Sequence, residues 1–238
     1  MTGPPGPLVL VPGIGCGTTQ FRRLRPGLAG RDVLALDLPG HRGAPPVPRV
    51  SLAAVAARIA EQVPPGSVLV GHSTGGVVGL LVAVRRPDLV SRLVVLDSNL
   101  PVTADALARK AARAAQVRSP RWREVLEESM RTAWGPREPG LREQVVAGIL
   151  ATPPEAVRGL WADVLDLDPR ELLAALAVPA LHVRSSRDVD LAALAALNPR
   201  VRGVDLRGLE PGHWPHLTEP AAVLRALHGF LGSPSLEG

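Results

Sequence analysis

The residues Gly71-His72-Ser73-Thr74-Gly75 set a serine hydroxyl between two glycines, and their types and spacing suit nucleophilic chemistry. They follow the apolar run Ser67–Val70 and open the helical pattern Thr74–Arg85, so the turn between them leads from a strand into a helix. A turn that sharp needs small residues on both flanks. It holds the serine in a strained backbone conformation with its hydroxyl exposed at the strand's C-terminal end. The N-terminus of the following helix also favours developing negative charge. In a chain with 24 glycines the pentapeptide alone says little, and its place between strand and helix carries the weight.

A serine hydroxyl is a poor nucleophile until a base takes its proton. Gly212-His213-Trp214-Pro215-His216 offers His213 as that base, on a loop after the last strand and before the last helix. The same position also suits a turn histidine that caps the final helix. An imidazole base needs an acid to fix its tautomer and stabilise the imidazolium. Asp188 follows the run Ala180–Val183 by a short loop, and Asp97 ends the run Leu93–Leu96, so both lie at strand C-termini. Asp190 replaces Asp188 if the loop is shifted, and Asp97 has a second reading as an anchor for a backbone N–H. Two N–H donors are required for the oxyanion, and Thr74 and Ile14 are the candidates, the latter on the loop Pro12-Gly13-Ile14-Gly15. Gly13-Ile14-Gly15-Cys16-Gly17 lacks the dinucleotide spacing and any P-loop lysine, which argues against phosphate cradling. Cys16 has no assigned base. His72, His182 and His216 read as packed or structural groups, His228 as a surface residue, and His41 has no assigned role.

The elements that must position these groups alternate along the chain. Short apolar runs at Leu8–Val11, Val33–Leu36, Ser67–Val70, Leu93–Leu96, Ala180–Val183 and Val201–Leu206 read as strands covered on both faces. Helical patterns at Thr19–Leu28, Leu52–Val63, Thr74–Arg85, Leu191–Leu197 and Pro220–Phe230 separate them, which predicts a parallel sheet with helices on both sides. Between Pro101 and Asp168 there is no strand pattern. Helical stretches at Ala104–Val117, Arg121–Trp134, Leu141–Leu150 and Glu155–Leu165 instead predict a helical cap over the strand ends, because a simple crossover needs only about a dozen residues. The expected division is a core of 1–100 and 167–238 with a cap insertion at 101–166. The tail from Ser233 reads as frayed.

With 238 residues, 46% of them hydrophobic and 21% charged, the composition is that of an ordinary globular chain. The net charge of +5 comes almost wholly from arginine, with Lys110 the sole lysine. Arg22, Arg23 and Arg25, and the arginines from Arg109 to Arg123, fit solvated helix faces better than a phosphate-binding patch. Aromatic residues at 3% leave few platforms for base stacking, so no nucleic-acid partner is expected. A single cysteine, Cys16, rules out an internal disulfide and any cysteine-based metal site. No metal and no cofactor is expected. The Met1–Pro7 start lacks the charged region of a secretory signal, and the apolar run Val68–Val84 is too polar for a span. The expectation is a soluble, cytoplasmic protein without a membrane partner, its oligomeric state left open.

Four blocks in order, Val9-Leu10-Val11-Pro12-Gly13, Asp37-Leu38-Pro39-Gly40-His41, Gly71-His72-Ser73-Thr74-Gly75-Gly76 and Gly212-His213-Trp214-Pro215-His216-Leu217, resemble signature blocks of the α/β-hydrolase superfamily. They are most similar to its branch of small esterases, lactonases and perhydrolase-like enzymes. The resemblance runs from Leu8 to Leu231, the cap aside. It implies an α/β fold with a doubly wound, mostly parallel six-stranded sheet and a helical cap. The family's acid loop resembles Ser185-Ser186-Arg187-Asp188, which makes Asp188 the preferred acid and Asp97 the alternative. Pro12 stands where many members carry His. Ser73 argues against the epoxide hydrolases and haloalkane dehalogenases of this superfamily, which use Asp. Trp122, Trp134 and Trp161 in the cap suggest a mainly hydrophobic acyl or alcohol group, with Trp134 and Trp214 lining the pocket.

The leading expectation is hydrolysis of a small or medium carboxylic ester or lactone, a small-molecule substrate, through an acyl-Ser73 intermediate. Thioester cleavage on a carrier-bound acyl chain, cofactor-free oxygenation by a His–Asp pair, and a non-catalytic ligand receptor are the alternatives on the same fold.

Overall fold

Six runs rich in Val, Leu and Ala form the sheet, and all of its pairings are parallel in a computed structural model that describes residues 6–232. The strands are β1 (Leu8–Val11), β2 (Val33–Ala35), β3 (Ser67–His72), β4 (Val90–Leu96), β5 (Ala180–Arg184) and β6 (Val201–Asp205), in the spatial order β2-β1-β3-β4-β5-β6. The sequence expectations for Met1–Pro5 and for the tail from Ser233 lie outside the described residues.

Alternate side chains of each strand face opposite ways and meet two separate cores. Leu8, Leu10, Val68, Val70, Val94, Leu96, Leu181 and Val183 pack against Phe21, Leu24 and Leu28 and against Val223, Leu227 and Phe230 of the last helix. Val9, Val11, Leu69, Leu93 and Val95 face the opposite layer, built by α1 (Leu52–Ala60), α2 (Thr74–Arg85) and the helices inserted after β4. Burial on both faces explains why the central strands read as nearly continuous apolar runs.

The insertion consists of α3 (Ala104–Arg118), α4 (Trp122–Ala133), α5 (Pro139–Leu150) and α6 (Pro154–Asp166). Polar contacts at several points fasten it to the core. Asp163 of α6 accepts from Leu52 N at 2.9 Å and so satisfies a free N–H at the start of α1. Thr152, just after α5, donates to Gly15 O at 3.2 Å, and Lys110 of α3 donates to Leu167 O at 2.6 Å. At the end of α4, Ala133 O accepts from His213 N at 2.7 Å. The insertion therefore holds both the loop after β1 and the loop that carries His213.

Several expected elements change in detail. The helix expected over Thr19–Leu28 is two 3₁₀ segments, Thr18–Arg23 and Arg25–Leu28, because Pro26 and Gly27 interrupt it. The chain after the insertion contains α7 (Arg170–Ala175), then α8 (Leu191–Leu197), α9 (Pro215–Thr218) and α10 (Pro220–Gly232). The short α7 and α9 carry too few turns to leave a periodic pattern. Among the described residues, no helix is long and apolar enough to cross a membrane.

Candidate active site

Ser73 stands between β3 and α2 with φ 52° and ψ −119°, a backbone conformation that L-residues rarely adopt. The flanking glycines are a steric necessity. A Cβ on Gly71 would collide with the backbone of Gly75 and Gly76, and one on Gly75 would meet the carbonyls of Val11 and Pro12. Ser73 N donates to Leu96 O at 2.9 Å, and Ser98 Oγ donates to Ser73 O at 2.6 Å, so β4 supports the strained turn from behind. Gly13 lies so close that a Cβ there would stand 3.2 Å from Ser73 Cβ. This brings the loop after β1, with Ile14, against Ser73, and Ile14 and Thr74 border the same cavity.

His213 reaches Ser73 from the loop before α9, with Nε2 2.9 Å from Ser73 Oγ. Gly212, at φ 66°, makes the turn that aims it. His72 Nε2 hydrogen-bonds to His213 O at 2.8 Å, so the histidine beside Ser73 ties the two loops together.

The carboxylate beside His213 is not the one the sequence reading preferred. His213 Nδ1 lies 2.8 Å from Asp97 Oδ2, whereas Asp188 points outward in an ion pair with Arg109. The loop after β5 turns its backbone toward Asp97. Ser185 N, Ser186 N and Arg187 N donate to Asp97 Oδ1 at 2.6, 2.8 and 3.1 Å, and Ser186 Oγ donates to Oδ2 at 2.6 Å. With those N–H groups aimed inward, the next side chain along the loop, Asp188, faces solvent. Asp190 instead caps α8 by accepting from Ala192 N and Ala193 N.

Burial alone would raise the Asp97 carboxyl. The hydrogen bond from His213 and the nearby positive charge of Arg187 outweigh burial and hold it well below the usual carboxylate range. Burial, followed by the charge of Arg187, pushes the His213 imidazole down to about 4, and Asp97 pulls the other way. At neutral pH His213 is thus an uncharged imidazole whose Nδ1 proton is held by a carboxylate and whose Nε2 faces a serine hydroxyl. That is the protonation state a general base requires.

A cavity of about 630 Å³ opens in front of Ser73, between the strand ends and α3, α4 and α6. Met130, Trp161, Val164 and Leu165 supply its apolar wall. Trp134 and Trp214, expected to line it, do not. Both are 1% exposed and their rings meet at a tilt with centroids 5.0 Å apart, because the chain just after α4 turns Trp134 toward the His213 loop. Arg109 and Arg113 are exposed, as expected of a solvated helix face, and they also border the cavity. Sequence reasoning attached no role to Arg187, whose Nη2 lies 3.1 Å from His213 Nε2. Its place at a strand C-terminus was the one signal available.

The remaining histidines fall mostly as expected. His182 and His216 are buried, with burial lowering them to about 4 and about 3, while His228 is exposed and bonds Gly27 O. His41 is buried, and its Nδ1 bonds Pro39 O at 3.0 Å. Burial raises the Cys16 thiol to about 11, leaving it protonated. Among the described residues no cluster of His, Cys, Asp and Glu is arranged to hold a metal.

A strand–serine–helix turn at the C-terminal edge of a parallel sheet, with a histidine returning from the last loop, defines a class of fold. Residues 8–226 match the model of the alpha/beta hydrolase family, and the chain belongs to that family. It is similar to a biotin biosynthesis bifunctional protein BioHC of Cellvibrio japonicus, with 31% identity over 227 residues, covering 90% of this chain and 43% of that one. A pimeloyl-[acyl-carrier protein] methyl ester esterase of Neisseria meningitidis is 41% identical over 97 residues, covering 40% of this chain and 38% of its own. The chain spans less than half the length of these curated relatives. Among solved structures, a hydrolase from Pseudomonas aeruginosa superposes with a TM-score of 0.77 at 26% identity, covering 96% of this chain and 91% of that one.

Proposed function

We propose that the protein hydrolyses small or medium carboxylic esters, lactones included, through an acyl-Ser73 intermediate. The observation that carries this reading is the hydrogen-bonded chain Ser73–His213–Asp97, with distances of 2.9 and 2.8 Å, opening on a cavity. Ser73 Oγ attacks the ester carbonyl carbon while His213 Nε2 takes its proton, and Asp97 stabilises the imidazolium that forms. The N–H groups of Ile14 and Thr74, residues that border the same cavity as Ser73, would receive the oxyanion. Collapse of the tetrahedral intermediate breaks the C–O bond to the leaving alcohol, which takes the proton from His213. Water then attacks the acyl carbon with His213 again as base, and the carboxylic acid leaves as Ser73 recovers its proton. The relative named as a methyl ester esterase supports an oxygen ester over a thioester.

Intact-mass measurement after exposure to a fluorophosphonate tests the reading. Wild type should gain one adduct and Ser73→Ala none, and Ser73→Ala should lose turnover of a simple aryl ester by about 10⁴-fold or more. An adduct on the variant, or turnover that survives the substitution, would overturn it.

A further inference from the structure

The base has one lone pair and two donors. With its Nδ1 proton held by Asp97, neutral His213 accepts only at Nε2. Ser73 Oγ lies 2.9 Å from that nitrogen and Arg187 Nη2 lies 3.1 Å from it. A guanidinium has no acceptor atoms, so Arg187 competes with the serine for the same lone pair. Its positive charge also opposes the imidazolium that catalysis must form, and an ester hydrolase has no evident use for a cation there unless something neutralises it.

Nothing among the described residues does so fully. Arg187 Nε is buried without a hydrogen-bond partner. The carboxylate whose charge acts on it is Asp97, whose oxygens are already taken by Ser185, Ser186, the backbone N–H of Arg187 and His213. Arg113 stands close enough for its charge to push against that of Arg187, and its own side chain donates to Gln116 and to no carboxylate. Arg109, Lys110, Arg113 and Arg187 all border the cavity, against Glu128 and Asp188, and Asp188 is already paired with Arg109. The cavity wall is thus net positive, with its least satisfied guanidinium beside the nucleophile.

We propose that the natural substrate is an ester carrying a free carboxylate, and that Arg187 receives this carboxylate, releasing the His213 lone pair to Ser73. A carboxylate accepts both N–H bonds of the guanidinium fork, which the imidazole cannot match. Ser73 Oγ and the guanidinium each lie about 3 Å from His213 Nε2, so they are at most about 6 Å apart, which limits the spacer between carboxylate and scissile carbonyl to two or three methylenes. Half-esters of short dicarboxylic acids fit that span. The inference rests on the esterase reading and narrows its substrate class.

The test compares monoethyl succinate and monoethyl glutarate with ethyl butanoate and ethyl pentanoate, chain for chain. Wild type should favour each half-ester in kcat/KM by about tenfold or more. In Arg187→Gln that ratio should fall toward one while the neutral esters speed up, and Arg187→Lys should recover part of it. A ratio near one in wild type, or one kept in Arg187→Gln, overturns the proposal. Should the variants fail to fold, wild type alone decides: glutarate should inhibit ethyl pentanoate hydrolysis competitively and 1,5-pentanediol should not. Inhibition by inorganic phosphate in place of glutarate would overturn the carboxylate assignment. Turnover of neutral esters without any half-ester preference sinks this inference alone, whereas no ester turnover together with no fluorophosphonate adduct sinks the esterase reading itself.

Discussion

Asp97 and Asp188 end neighbouring strands on the same edge of the sheet, so chain order and strand position do not separate them. What separates them is the direction of a few backbone N–H groups in the loop after β5, and no residue type announces that. The consequence is measurable. Asp97→Asn should lower kcat by about 10³- to 10⁴-fold, because the amide cannot hold the Nδ1 proton of His213 in the productive tautomer. Asp188→Asn removes only an exposed ion pair and should change kcat by less than about threefold. Equal losses in the two variants would return the acid to an open question. The ionisation of His213 gives a second test at this scale. Its neighbours are Asp97, Arg187, His72 and His216, the last two uncharged at neutral pH because burial holds them down. The acid limb of kcat/KM should therefore lie near pH 4, well below an ordinary histidine. In Arg187→Gln one of the causes that depress His213 is gone, so the limb should move to higher pH. A limb at 6.5 in wild type would mean that the base is solvated and not clamped as the geometry requires.

The elbow around Ser73 was legible from sequence because its steric need leaves a mark, glycine on both sides of a serine between a strand and a helix. The six strands were legible for a similar reason, since burial on two faces writes an apolar run. Less was legible where a position depends on what packs against it. Trp134 and Trp214 read as pocket walls, but a helix face does not reveal whether it turns toward a cavity or toward another loop. Gly212 is such a case, since its need for glycine comes from a distant element. It sits at φ 66°, and a Cβ there would run into the carbonyl oxygen of Trp134 at the end of α4. Gly212→Ala should destabilise by at least about 3 kcal/mol, combining left-handed strain with the clash. It should also blunt fluorophosphonate labelling, because His213 is the next residue. Gly140→Ala near the start of α5 is the control. Open space surrounds that position, so the change should be neutral or stabilising by up to about 1 kcal/mol. Urea denaturation of both variants checks this, and a Gly212→Ala protein as stable as wild type would show that the insertion does not clamp the base loop.

At the scale of the whole molecule, the histidines couple folding to acidity. His72, His182, His213 and His216 are each 2% exposed or less, and burial lowers all of them below the ordinary value of 6.5. An unfolded chain protonates these imidazoles as pH falls through 6.5, while the folded chain resists until about 4 for His182 and His213 and about 3 for His216. The unfolded state therefore binds more protons across that window, and stability falls as pH drops through it. The four groups act in the same direction, so their losses reinforce one another as the pH falls. Asp97, held below the usual carboxylate range, adds its own loss only under pH 3.8. The urea midpoint should decline steeply from pH 6.5 to 4.5. A midpoint unchanged between 7 and 5 would show that the buried imidazoles ionise without cost. The same coupling decides how the activity profile must be recorded. Unfolding on standing at pH 5 would mimic an ionisation of the base and place the acid limb too high. Protein held at pH 7.5 and jumped into acidic substrate should keep its initial rate down to about pH 4 and lose it only with time.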